Sequence, residues 1–302
     1  MWFLPALVTL VAWGAADLFY KKGNNAKDRY SALKTVVMVG LVMGLHALFY
    51  YVVYEGIHYD FSNLILYLPV SSMYILSMAL GYFGLRYIEV SVSSPIGNSS
   101  GAVVVLLSFF IMKETMAPLQ WAAVIVIILG LFLLSVFEKQ EFDHELAARG
   151  EKVDPKYRVG AIAIIFPLLY CVIDGLGTFF DGIYLDYRQI LPEDQANMSY
   201  ELTFFIVALL VWGYLALVKK EKVNPFREKD KGLAAIFETL GQFFYVFAMS
   251  GNAIVAAPMI ASYSVVSIIF ARIFLKEKLS NKQYVAVLFV MIAIAVLGFY
   301  DG

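Results

Sequence analysis

Three carboxylates stand where a carboxylate is costly. Asp17, Asp174 and Glu238 fall inside long apolar stretches, and a charge at the centre of a bilayer costs roughly 2.5–3.5 kcal/mol even on insertion scales. Acids placed this way either carry a coupling proton or hold a cationic solute. Aromatic side chains recur around them, away from the ends of the stretches: Trp13, Tyr74, Tyr82, Tyr170, Tyr245 and Tyr263. Ring faces near carboxylates suit an organic cation, although ordinary packing is the plainer use of any single ring. Asp17 has a plainer use too, because Lys21 follows at the i,i+4 spacing of an ion pair. Asp174 lacks such a neighbour, with Tyr170 one turn before it and Thr178 one turn after, and Gly175 and Gly177 beside it allow close helix packing. Glu238 sits about two turns into its stretch, one turn before Gln242, deeper than an acid that merely complements a helix start.

Two further runs are polar and breakable. Pro95, Gly97, Asn98, Ser99, Ser100 and Gly101 form one, and Pro258, Ser262, Tyr263 and Ser264 form the other. A proline removes a backbone donor and frees a carbonyl one turn earlier, so Pro95 and Pro258 are expected to break their helices. Asn98 and Tyr263 carry hydrogen-bonding capacity that lipid cannot satisfy, which favours cavity lining. Ser99 and Ser262 join them as candidate lining, with small-residue packing at helix crossings as the alternative.

Nucleophilic and metal chemistry are poorly supplied. His46, His58 and His144 share no ligand spacing, and Cys171 is the sole cysteine, which rules out an intramolecular disulfide or a cysteine metal cluster. We expect no metal, no cofactor and no catalytic residue. The run Asp174-Gly175-Leu176-Gly177-Thr178 brings an intramembrane aspartyl protease to mind, but Thr178 stands where the second aspartate is needed. A channel is disfavoured for want of a charged ring or carbonyl filter motif.

The elements that must position these residues are membrane helices. Of 302 residues 61% are apolar and 16% charged, against about 45–50% and 25% in soluble domains. A net charge of −1 argues against nucleic acid. Ten windows are long enough to cross a bilayer: 2–20, 31–54, 65–87, 90–112, 118–137, 159–180, 200–218, 232–250, 253–274 and 283–300. The very short links Ile88-Glu89 and Gly251-Asn252 imply antiparallel hairpins. No positive charge precedes the first apolar run, whereas Lys21 and Lys22 follow it, so it is expected to be a retained helix and not a signal peptide. With ten spans, 21 of the 23 Lys and Arg fall on one side, and only Lys113 and Arg188 on the other. That side is expected to face the cytoplasm, with both termini outside.

The halves repeat at an offset of 163 residues: Tyr82 with Tyr245, Pro95 with Pro258, Lys113-Glu114 with Lys276-Glu277, and Gln120-Trp121 with Gln283-Tyr284. Nearer the starts of the halves the offset is 157, where Trp13 and Asp17 fall on Tyr170 and Asp174. Five helices per copy is an odd number, so the second copy enters the membrane inverted, with a site near the midplane at the interface. The expected organisation is a first copy over 1–137, a polar cytoplasmic linker over 138–158 and a second copy over 159–302.

Trp13-Gly14, the two prolines, the two Lys-Glu turns and the Gln120-Trp121 and Gln283-Tyr284 pairs resemble the drug/metabolite transporter superfamily in its EamA-like ten-helix branch, over the whole chain. The resemblance implies an all-α polytopic plasma-membrane protein that carries small molecules by secondary transport. Its cavity would be lined by helices one, three, four, six, eight and nine. Members of that branch keep both termini in the cytoplasm, and here the charges argue the reverse. The leading expectation is a carrier of a small polar or cationic metabolite or drug, proton-coupled or facilitative. A flippase for a lipid or lipid-linked headgroup is the alternative. Oligomeric state is left open.

Overall fold

In lipid every backbone polar group must be satisfied within the segment, so apolar stretches of this length become helices. The computed structural model describes residues 1–23, 28–84, 99–148, 165–276 and 279–299. Helix α1 spans Phe3–Gly23, and α2 spans Ser31–His46 and continues with π-helical winding over Ala47–Tyr54. The short α3, Ser62–Leu66, leads into α4, Leu68–Gly84. Next come α5, Ser100–Leu107, with a π-helical end Ser108–Met112, and α6, Pro118–Ala148. The second half holds α7, Ile165–Gly182, extended over Ile183–Tyr187, and α8, Glu193–Gly213, extended over Tyr214–Val218. It closes with α9, Lys229–Ile260, α10, Tyr263–Phe274, and α11, Asn281–Gly298. Seven of the described helices are long and apolar enough to cross a membrane, and three shorter apolar ones accompany them. Exposed Phe49, Phe110, Leu210, Leu217 and Phe289 give the outer surface the apolar character that lipid solvates.

The repeated motifs turn out to be helix punctuation. Lys113 and Lys276 share a left-handed backbone, φ 58° and 57°, and each ends its helix. The Gln120 side chain accepts the Ala117 N–H at 2.9 Å, and Gln283 accepts the Ser280 N–H at 2.8 Å within a capping box. A residue three positions into a helix that reaches back in this way satisfies a donor the helix leaves orphaned.

Helix α9 is broken at Asn252, whose φ of −171° and ψ of 85° are not helical. The chain reverses there. A Cβ on Gly241 would touch the Trp13 ring, and one on Gly14 would touch Val266. Twenty-five residues of straight helix would separate Gly241 from Val266 by about 37 Å, yet both meet adjacent residues of α1. The hairpin expected at Gly251-Asn252 is therefore present. Pro258 keeps helical dihedrals, unlike the break expected of it, and the chain next turns at Ala261–Ser262.

Helices pair across the two halves. Trp2 packs on Gly251 and Gly23 on Lys231, so α1 runs antiparallel to the first part of α9. Gly40 meets Phe204 and Ala208, and His46 meets Glu201, which makes α2 antiparallel to α8. Gly130 packs on Val290, and the Lys282 ammonium lies 5.7 Å from the centre of the Phe137 ring, which sets α6 against α11. At one end Lys34 bridges Asp28 and Glu221, each at 2.8 Å, and Lys231 pairs with Glu228; this is the basic end. Gly251, Tyr67 and Arg188 mark the opposite, low-charge end. Gly298 packs on the Phe3 ring, so both ends of the described chain meet there.

Several boundaries differ from expectation, each for a reason in packing. Helix α8 starts at Glu193 and not at 200, with Pro192 before it. Its polar first turns, including Asn197, Ser199 and Glu201, are buried against α2 and the Tyr59 loop and not exposed to lipid. The helix expected to stop at 137 continues to Ala148, and the one expected to stop at 180 winds on to Tyr187. The start expected at 65 is divided by Tyr67, which is held between α3 and α4.

Candidate functional site

The site grows from a zipper between α4 and α7. Ser77 donates to Asp174 at 3.2 Å, Gly177 packs on Met73 and Tyr74, and Tyr67 donates to Asp181. These pairs run in opposite order along the two helices, as in an antiparallel pair. Asp174, Thr178 and Asp181 recur at i, i+4 and i+7, so they share one face of α7, and Tyr67, Tyr74 and Ser77 are the matching face of the first half. Gly175 lets α5 approach as well, since a Cβ there would press on Val103 and the Ser100 carbonyl. Ser100 thus faces the Asp174 carboxylate beside Ser77.

Tyr74 is the junction. Its hydroxyl lies 2.7 Å from that of Tyr245, 2.9 Å from Thr178 Oγ1 and 3.2 Å from Asp181 Oδ2. Tyr245 then stacks on Trp13, ring centres 5.3 Å apart at 27°, and Trp13 meets Tyr263 edge-on at 5.9 Å. The Trp13 indole N–H donates to the Glu238 carbonyl at 3.3 Å. Tyr200 closes the other side of Tyr74, edge-on at 5.7 Å.

About 10 Å deeper, seven residues back along α9 from Tyr245, Glu238 accepts from Tyr20 at 3.5 Å and faces Asp17. Asp17 turns to Ser267 on α10, and among the ion pairs of described residues none joins it to Lys21. Asp17, Asp174 and Glu238 remain partly exposed. Gln242, 2% exposed, lies on the same stripe of α9 as Glu238 and Tyr245, and its Nε2 has no partner among the described residues.

The expected residues are thus partly gathered. Trp13, Asp17, Tyr74, Asp174, Glu238, Gln242, Tyr245 and Tyr263 come together, and Tyr170 is half-buried one turn before Asp174. Ser262 is turned away from a lining role, with its hydroxyl bonded back to the Met259 carbonyl. Ser99 precedes α5, half-buried. Tyr82 lies in the last turn of α4, while Pro95 and Asn98 lie outside the described residues. Sequence reasoning missed Tyr67, Thr178, Tyr200 and above all Asp181. The i+7 spacing from Asp174 could have found Asp181, which sits one residue past the expected end of its helix.

The pattern of the EamA-like transporter family matches residues 1–136 and again 159–299. The chain belongs to that family. It is therefore a multi-pass membrane protein of the transporter class with two EamA-like repeats, and small solutes are its cargo class. A solved structure described as "Crystal structure of protein" superposes with a TM-score of 0.69 over 98% of this chain and 96% of the other, at 12% identity; that likeness concerns the fold. Among curated proteins none matches the chain significantly.

Proposed function

We propose that this EamA-family protein is a secondary carrier of a small organic cation or polar metabolite, working by alternating access across the plasma membrane. The observation that carries the reading is the seam cluster. Carboxylates of Asp17, Asp174 and Glu238 remain partly exposed along the same seam as the packed rings of Trp13, Tyr245 and Tyr263, and among the described residues no Lys or Arg is ion-paired with them. Such a site attracts positive charge through carboxylate and ring alike.

Ten crossings in two mutually inverted copies, over 1–137 and 159–302 with a linker at 138–158, complete the proposal. Its support is reciprocal packing. The first helix of each half lies against the third and fourth helices of the other: Asp17 meets Glu238 and Ser267, and Asp174 meets Ser77 and Ser100. Equivalent helices such as α2 and α8 run antiparallel, as inversion requires. By the charge rule the basic end faces the cytoplasm.

The test is uptake into proteoliposomes under an imposed pH gradient, with organic amines, amino acids, nucleosides and sugars as solutes. Amines are expected to be carried in preference, and Asp174→Asn is expected to slow the pH-driven component while counterflow persists. Unchanged pH dependence in that variant removes Asp174 from coupling, and no preference for amines removes the cationic cargo.

A further inference from the structure

A knot of hydroxyls around a single acid closes the low-charge end. Asp181 is 0% exposed, and its two oxygens accept from Tyr67 and Tyr74. Tyr74 belongs to α4 in the first half and Tyr67 immediately precedes that helix, whereas Asp181 and Thr178 belong to α7 and Tyr245 to α9 in the second. Each bond that Tyr67 and Tyr74 make to those three residues therefore crosses the seam.

We infer that Asp181 is a proton-binding site whose occupancy locks the low-charge end shut. The inference rests on the alternating-access reading above. Opening this end must part α4 from α7 and α9, which breaks Tyr67–Asp181, Tyr74–Asp181 and Tyr74–Tyr245 and admits water to the carboxyl. There the acid ionises, and its proton passes to water. Closing the end again strips that water away.

The groups facing Asp181 are Tyr67 just before α4, Tyr74 from α4 and Tyr245 from α9, with Tyr200 of α8 against Tyr74 and Asp174 two turns back on α7. None brings a positive charge, and among the described residues no Lys or Arg pairs with Asp181. Two phenols can donate to the carboxyl but cannot neutralise it, and a sealed charge without a counter-ion is strongly disfavoured. Closure therefore draws one proton back from the same side, converting carboxylate to carboxylic acid. The closed state binds one proton more than the open one, so rising pH favours opening.

Ser71 offers a reporter. It is fully buried on α4, between Tyr67 and Tyr74 on the same face, and its Oγ has no partner among the described residues. In a Cys171→Ser, Ser71→Cys background in detergent, the rate of labelling by a hydrophilic maleimide reads opening. Dividing each rate by that of the same protein carrying Asp181→Asn cancels the pH dependence of the thiol itself. The ratio is expected to rise with pH between about pH 5 and pH 8, by up to about tenfold per pH unit while the closed state holds the proton that opening releases, with the Asn variant slow throughout. A flat ratio overturns the lock. Should Asp181→Asn fail to give a cooperative melt, Tyr67→Phe and Tyr74→Phe decide, since each keeps the acid and loses a donor. Both are expected to label faster and to shift the pH midpoint, and parental rates with an unmoved midpoint overturn the proposal. No solute enters this assay, so failure of the lock and failure of the carrier reading are separate results.

Discussion

Glu201 is as deeply buried as Asp181 but has a nitrogen for a partner. His46 Nδ1 lies 2.8 and 2.9 Å from its two oxygens, and the imidazole is stacked on Tyr50 and edged by Tyr51 and Phe243. Removing the imidazole leaves a buried carboxyl without that hydrogen bond, at a cost of about 1–3 kcal/mol. Neutralising the acid leaves a hydrogen-bonding amide. His46→Ala is therefore expected to lower the melting temperature more than Glu201→Gln does, as read by thermal unfolding in detergent; the reverse order would contradict the pairing. At the basic end, burial raises the Asp28 carboxyl pKa, but the Lys34 ammonium and the Tyr30 N–H lower it further, and the net result lies below the ordinary value. A depressed folded pKa adds stability above the unfolded pKa and loses it as pH falls through the folded one. Hydrogen exchange at the Tyr30 amide should accelerate as pH falls below about 4 relative to the intrinsic rate, and Lys34→Met should reduce that excess.

Helix packing in this molecule depends on missing side chains. A Cβ at Gly40 would lie 2.3 Å from the Phe204 carbonyl oxygen, a backbone atom that cannot swing aside, whereas one at Gly213 meets nothing within 4 Å. Gly40→Ala is expected to part α2 from α8 and destabilise by about 1–3 kcal/mol. Gly213→Ala is expected to be neutral or to gain up to about 1 kcal/mol from helix propensity. Unfolding of the two variants side by side tests this, and equal loss in both would refute the close approach. The same scale explains what the repeated Lys-Glu and Gln motifs do. Their repetition is real, but Lys113 and Lys276 terminate helices while Gln120 and Gln283 cap them.

For the whole molecule, the meeting of Phe3 with Gly298 means that the described chain begins and ends on one side. The ten crossings proposed above, an even number, are consistent with that meeting. On the proposed orientation, with the basic end in the cytoplasm, alkaline phosphatase fused after the last helix is expected to be active and a cytoplasmic fluorescent fusion dark; the opposite pair of signals would reverse the orientation. The closed knot at the low-charge end and the Lys34–Glu221 ion pair at the other join the halves at both ends.

Composition and hydrophobic run length alone determined that this chain is a helical membrane protein, because lipid leaves an apolar stretch no other way to satisfy its backbone. The very short link between two apolar stretches likewise placed the hairpin at Gly251-Asn252, and an acid and aromatic rings inside such stretches brought Asp174, Trp13 and Tyr245 forward as candidates. What only the tertiary structure decided is which polar groups meet. Asp174 gained Ser77, Glu201 gained His46, and Asp181 gained two tyrosines, all from other helices distant in sequence. A partner across the seam leaves no periodic trace along either helix, since period reports only which residues share a face and not which face lies opposite.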